Sequence, residues 1–201
     1  MLDIIVIGTT DIFEMVETTF DHLTHRIIGY LAPESSTHKI YSKYTYLGND
    51  SVIDTNEYSK AAFVIALYNN QRRSVIVQDL VRCNRPLLSV VHPSSVVMPS
   101  AILGEGTTVA FLCTLSSAVR TGKAVVIRSH AHVSHDVSIG DYSFIGPGVK
   151  LLGGATIGSE VLIGSNAVIF PHIVIGDGVK VSANTVVREN VPPGKNILSK
   201  N

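Results

Sequence analysis

Charge is scarce in this chain. Charged side chains make up 16% of its 201 residues, against about 25% in an average globular protein. Lys+Arg and Asp+Glu number 16 each, so no excess of one sign argues for nucleic acid or an anionic membrane as a partner. Cysteine is nearly absent. The two present, Cys83 and Cys113, make no disulfide framework and fit a reducing compartment. Long apolar runs are missing as well, and none reaches the roughly 18–20 residues that span a bilayer. The opening MLDIIVIG is too short for a signal peptide and lacks its basic flank, so it reads as a buried strand. These absences point to a soluble, cytoplasmic protein.

What is present is a repeat. Stepping by six from Val97 gives sixteen positions to Val187, and only Thr121 among them is not aliphatic. Four residues after each step stands a small or β-branched side chain, as at Ala101, Thr107, Cys113, Ala131, Ser143 and Ala155. A period of eighteen lies on top: Gly104, Gly122, Gly140, Gly158 and Gly176 each follow a sixfold position directly. Such regularity marks a solenoid, in which each coil buries its apolar face on its neighbours. Six residues make one short flat strand and its turn, and three such units make a triangular coil. The glycines are expected at one corner, where backbone freedom is needed. A helix is excluded, because the region is rich in β-branched residues and Gly and has no 3.6-residue period.

The first half alternates differently. LDIIVIG reads as strand, DIFEMVETTFDHL as helix, RIIGYLA, YTYLG and AAFVIALY as strands, NNQRRSVIVQDLVRC as helix and PLLSVV as strand. That order suggests a parallel sheet covered by helices, a Rossmann-like α/β domain. The reading divides the chain into residues 1–92, a solenoid at 93–192 and a tail at 193–201. The turn Gly8-Thr9-Thr10-Asp11 stands where a phosphate-binding loop would sit, but carries one Gly where such loops usually carry three. A sugar nucleotide there, or a domain that only caps the solenoid, both remain open.

The stretch HAHVSHDVSIGDYSFIGPG places His130, His132, His135 and Asp136 within seven residues. These are zinc-ligand types, and they are also the types of a base and its orienting acid. Side chains three apart on a solenoid point different ways, which favours the base over a metal centre. Adjacent strand residues point to opposite faces, so a His135–Asp136 pair requires a corner of the coil.

The order of the chain carries a resemblance: an α/β domain, His92-Pro93-Ser94, then hexapeptide repeats with His135-Asp136 and Pro147-Gly148. VVHPSSVVMPSAILGEGT and VSHDVSIGDYSFIGPGVKLLGGATIG are its most specific parts. The chain resembles the sugar acyltransferases of the sialic-acid O-acetyltransferase/PglD-like family, with a left-handed parallel β-helix; the handedness comes from the resemblance. The family implies acetyl-CoA-dependent transfer to the amine of a nucleotide-linked amino sugar. The base would be His135, oriented by Asp136. Acetyl-CoA contacts would fall to Gly153 and Ala183, and substrate contacts to Gly8, Thr9, Thr10, Asp11 and Arg128. The family forms homotrimers with shared active sites and needs no metal for the transfer.

The chain departs from the family pattern in several places. Ile12 replaces a loop His, Ala32-Pro33-Glu34 replaces an acidic pair, Arg128 replaces an Asn, and Phe144 replaces a His. The usual Pro-Ala-Lys tail is absent, and NILSKN stands at the end. Transfer to a sugar hydroxyl is a close variant, since one base serves both nucleophiles. A non-catalytic trimeric scaffold that binds a sugar nucleotide is the alternative of a different kind.

Overall fold

The computed structural model describes residues 1–21 and 23–198. The last residues of the expected tail, 199–201, lie outside the described residues, as does His22 in the expected first helix. The chain forms two compact units, Met1–Val90 and a second that begins at Val91. No helix among the described residues is long and apolar enough to cross a membrane.

The first unit is an α/β sheet. Its strands are β1 (Leu2–Ile7), β2 (His25–Leu31), β3 (Thr45–Gly48) and β4 (Ala62–Ile65), and its helices are α1 (Ile12–Thr19) and α2 (Asn70–Arg82). The strands are all parallel, in the order β3-β2-β1-β4. Ile4–Ile7 and Ala62–Ile65 are buried throughout, as near-continuous apolar runs in a central parallel sheet should be.

Two expectations fail here. Helix α1 stops at Thr19 rather than running on to Leu23, which is exposed. The Thr18 and Thr19 hydroxyls donate back to the carbonyl of Met15 at 3.0 and 2.7 Å, and Asp21 Oδ1 accepts from the Leu23 N–H, so local side-chain bonds compete with the helix. The strand expected over PLLSVV shrinks to a parallel bridge from Leu87 to Phe63 and the two residues Val90–Val91. Pro86 has no N–H to extend that ladder and offers only its carbonyl to the Phe63 N–H.

The second unit is a β-helix of two-residue strands stacked into three parallel sheets. One coil shows the plan: Val126–Ile127 lies on the first face, His132–Val133 on the second and Ser138–Ile139 on the third. Each pairs with the residues eighteen away, as Val126 with Thr108 and Phe144, or His132 with Thr114 and Lys150. The last coil is two residues short. Ile175 bridges Val191 and Lys180 pairs with Asn196, so Asn196–Ile197 continues the first face within the stretch expected as tail.

The sixfold positions point inward. From Val109 to Val187 every one is buried, as are most of the small residues four further on. Burying each such Val, Ile or Leu is worth about 1.5–3 kcal/mol relative to exposure. Thr121, the polar exception, is satisfied in place: the Gly104 N–H donates to its Oγ1 at 3.0 Å, and its hydroxyl lies 3.1 Å from that of Thr107. Ser143, also inward, donates to the Gly158 carbonyl and accepts from the Val161 N–H.

The glycines after the third face serve a different purpose from the one expected. None of Gly104, Gly122, Gly140, Gly158 and Gly176 has a positive φ. The left-handed turn is made two residues later, by Gly106, Ala124, Tyr142, Glu160 and Gly178. What the glycines supply is room. A Cβ on Gly104 would lie 2.2 Å from the Gly122 oxygen, and one on Gly140 would lie 2.5 Å from the Gly158 carbonyl carbon and the Ser159 nitrogen. Coils stacked about 4.8 Å apart leave no space there for a methyl. We therefore expect Gly140→Ala to lower stability by on the order of 3 kcal/mol, since backbone cannot step aside. Gly178→Ala, with φ +67 but nothing within 4 Å, should lose only about 1–2 kcal/mol. Thermal melting of both variants checks the order; the reverse order would restore backbone freedom as the reason.

Candidate active site

His135 and Asp136 stand at the corner between the second and third faces. Their backbone is tied to both neighbouring coils: the Asp136 N–H donates to the Ser117 carbonyl, and the His135 carbonyl accepts from the Gly154 N–H, each at 3.0 Å. Asp136 has φ +58, a left-handed turn that brings adjacent side chains together. His135 Nδ1 and Asp136 Oδ2 lie 2.8 Å apart. A carboxylate only accepts, so Nδ1 carries the proton and Nε2 presents its lone pair. Both side chains are largely open to solvent, at 61% and 67% exposed.

The ring lies against Gly153 of the next coil. A Cβ on Gly153 would fall 2.7 Å from both Cε1 and Nε2 of His135, so glycine is what makes room for this imidazole. The Gly153 N–H has no acceptor among the described residues. At the third-face corner two of the corresponding groups are capped from one coil further on. Asp141 accepts from the Lys123 N–H at 2.8 Å, and Asp177 from the Ser159 N–H at 2.7 Å. Eighteen residues after Gly153 stands Pro171, whose side chain accepts nothing. An unshared proton acceptor and an uncapped N–H thus belong to one corner: the kinds of group that take a proton from a nucleophile and hold a developing oxyanion.

The other histidines go elsewhere. His130 makes the left-handed turn, φ +62, at the corner between the first and second faces. His132 points outward from the second face, in register with Thr114 and Lys150. No group of three or more His, Cys, Asp or Glu among the described residues is arranged to hold a metal ion. His92 accepts and shares bonds within its own turn, with Nδ1 2.8 Å from Ser94 Oγ and its ring edge-on to Phe111. Neither cysteine offers a thiolate. The hydrogen bond from Cys83 to Asp54 raises its pKa, and burial raises that of Cys113, whose thiol donates to the Arg128 carbonyl.

Arg128 and Ala183 are not brought to the His135 corner. Arg128 is buried and follows the first face, and Ala183 follows the same face three coils on. His172, to which the sequence assigns nothing, is brought close. It follows Gly154 by eighteen residues, and a Cβ on Gly154 would lie 2.4 Å from its Nδ1. Its signal in the sequence was that interval alone.

In the first unit, Gly8 is demanded by the backbone: its φ is +112, and a Cβ would lie 2.2 Å from the Ala66 oxygen. Thr10 turns inward, donating to that Ala66 oxygen at 3.0 Å, while the Tyr41 hydroxyl donates to the Thr10 carbonyl at 3.1 Å. Burial, with the Glu14 and Asp11 carboxylates, pushes the Tyr41 pKa up to about 12, so it stays a donor. Thr9 and Asp11 remain exposed and line a cleft of about 290 Å³ with Glu14, Ser36 and Tyr41. An adjoining cleft of about 430 Å³ is lined by Thr9, Glu34, Ser35, Ser36 and Thr37. Hydroxyls and carboxylates suit the base and ribose of a nucleoside better than its phosphates.

Comparison with known proteins agrees with the fold. Residues 118–153 and 154–189 match the model of the bacterial transferase hexapeptide family (six repeats). A GDP-perosamine N-acetyltransferase of Escherichia coli O157:H7 is 29% identical over 107 residues, 51% of this chain, and the match spans about half of that enzyme, 48%. Among solved structures, the acetyltransferase domain of PglB from Neisseria gonorrhoeae, in complex with acetyl coenzyme A, superposes with TM-score 0.89 at 24% identity, covering 96% of this chain and 94% of the other. PerB from Caulobacter crescentus, in complex with CoA and GDP-perosamine, gives TM-score 0.86 at 22% identity, over 96% and 92%.

Proposed function

Starting from a hexapeptide-repeat chain related to the PglB acetyltransferase domain and the perosamine N-acetyltransferases, we propose that this protein transfers the acetyl group of acetyl-CoA to the amine of a nucleotide-linked amino sugar. The observation that carries the reading is the His135–Asp136 pair, with Nε2 beside Gly153 and its open N–H. The acceptor amine attacks the thioester carbonyl directly. Nε2 of His135 takes the proton the amine must lose, and Asp136 holds the tautomer and stabilises the imidazolium. The Gly153 N–H binds the oxygen on which charge develops. No acyl-enzyme is needed.

Gly8, Thr9, Thr10, Asp11 and Arg128 as substrate contacts, and Ala183 beside Gly153 as an acetyl-CoA contact, belong to the same proposal. A homotrimer belongs to it as well. Arg128 and Ala183 hold a different corner from His135, and ligands touching both sets need a second copy of the chain. The apolar side chains Val96 and Val186, about half exposed on the second face between those corners, support such packing. The free thiols fit a cytoplasmic setting.

The test is CoA release, followed with a thiol reagent, across a panel of nucleotide-linked amino and hydroxy sugars. We expect release with an amino sugar. Release with a hydroxy sugar alone would move the acceptor to oxygen with the same base. Acetyl-CoA at 100 times its dissociation constant should also stabilise the protein by about 2.7 kcal/mol. Absence of both release and stabilisation would leave a scaffold.

A further inference from the structure

The corner that carries His135 is covered from its other side by a second imidazole. His135 comes from the coil before Gly153-Gly154, and His172 from the coil after. A Cβ on Gly153 would lie 2.7 Å from His135 Nε2, and a Cβ on Gly154 would lie 2.4 and 2.8 Å from His172 Nδ1 and Cε1. Adjacent Cα atoms are about 3.8 Å apart, so the two rings lie against neighbouring residues of one corner. The Gly153 N–H belongs to the same corner.

His172 is also a costly choice at its position. Its φ is +61, left-handed, where Gly or Asn is accommodated more cheaply; Gly154 holds the same corner position one coil earlier. Its backbone duty, donating to the Gly153 carbonyl at 3.0 Å, needs no imidazole. Its ring nitrogens have no hydrogen-bond partner among the described residues.

We propose that His172 is a second hydrogen-bond donor to the oxyanion, opposite His135 and alongside the Gly153 N–H. The inference rests on the acetyl-transfer reading. As the amine nitrogen bonds to the carbonyl carbon, the C=O π pair moves to oxygen, and His135 Nε2 takes the N–H proton. An imidazole carries an N–H in either protonation state, so His172 donates to that oxygen without changing its own protonation. The oxygen pair then returns, the C–S bond breaks with its electrons on sulfur, and the proton held by His135 passes to the leaving thiolate.

The experiment compares wild type, His172→Gly and His172→Asn for kcat, for the KM of acetyl-CoA and for melting temperature. Glycine relieves the left-handed strain, so His172→Gly should melt no lower than wild type. Its kcat should nonetheless fall by on the order of 10²-fold, the usual effect of losing one oxyanion donor. His172→Asn, which tolerates the turn and keeps a donor, should recover part of that loss. Wild-type kcat in both variants overturns the proposal, as does a change confined to the KM of acetyl-CoA, which would make His172 a holder of the donor. If wild type itself transfers no acetyl group, the acetyl-transfer reading fails first, and the inference falls with it.

Discussion

His135→Ala should lower kcat for acetyl transfer by about 10²–10⁴-fold, the range in which positioned general bases contribute. At about 1.36 kcal/mol per tenfold, that is roughly 3–5 kcal/mol of transition-state stabilisation. The expectation rests on the 2.8 Å bond from Nδ1 to Asp136, which leaves Nε2 as an unshared proton acceptor. The side chain is 61% exposed, so its removal should leave melting unchanged. Acetyl-CoA binding should persist, because neither the Gly153 N–H nor His172 depends on the imidazole. The measurement is steady-state CoA release with melting as control. Full activity in the variant would remove His135 from the chemistry. Lost binding together with lost melting would make it a structural residue.

Gly153→Ala should have an effect of similar size by a different route. The added methyl would lie 2.7 Å from Cε1 and Nε2 of His135. Here the neighbour is an exposed side chain, which rotates aside where backbone cannot. The fold should therefore survive, in contrast to Gly140→Ala, while the base leaves its place beside the N–H. A displacement of about 1 Å in a reacting group costs about 10²-fold. We expect that loss in kcat, with melting near wild type. Retained kcat would show that the base acts from another position. A collapse in melting would show that the corner, like Gly140, is closed by backbone.

Much of this was legible in residue order. The solenoid was, because the sixfold aliphatics from Val109 onward must all point inward if any does. The His135–Asp136 pair was too, since only a corner lets adjacent side chains meet, and Asp136 supplies that corner with φ +58. The glycine rhythm was seen, but its reason was misjudged. Composition shows where Gly recurs, and only stacking shows that Gly140 faces the backbone at Gly158 and Ser159. The end of α1 was missed because Leu23 continued the apolar spacing while Thr18 and Thr19 bonded to their own backbone.

The sequence by itself determined the two-part architecture and the β-helix, because a repeat imposes the same burial on every coil. It also determined the one histidine of the solenoid with an acid beside it. Tertiary structure alone decided which groups meet that histidine. Gly153 and His172 stand eighteen and thirty-seven residues from His135, and stacking of the coils puts both at its corner. The open Gly153 N–H is of the same kind, since no side chain caps it from Pro171, whereas Asp141 and Asp177 cap the matching groups at the third-face corner. Ala183 and Arg128 show the converse: residues along the same repeat are turned by the triangular coil to a different corner. In a solenoid, position within the coil is written in the sequence period, whereas proximity across coils comes from the stacking of backbone on backbone.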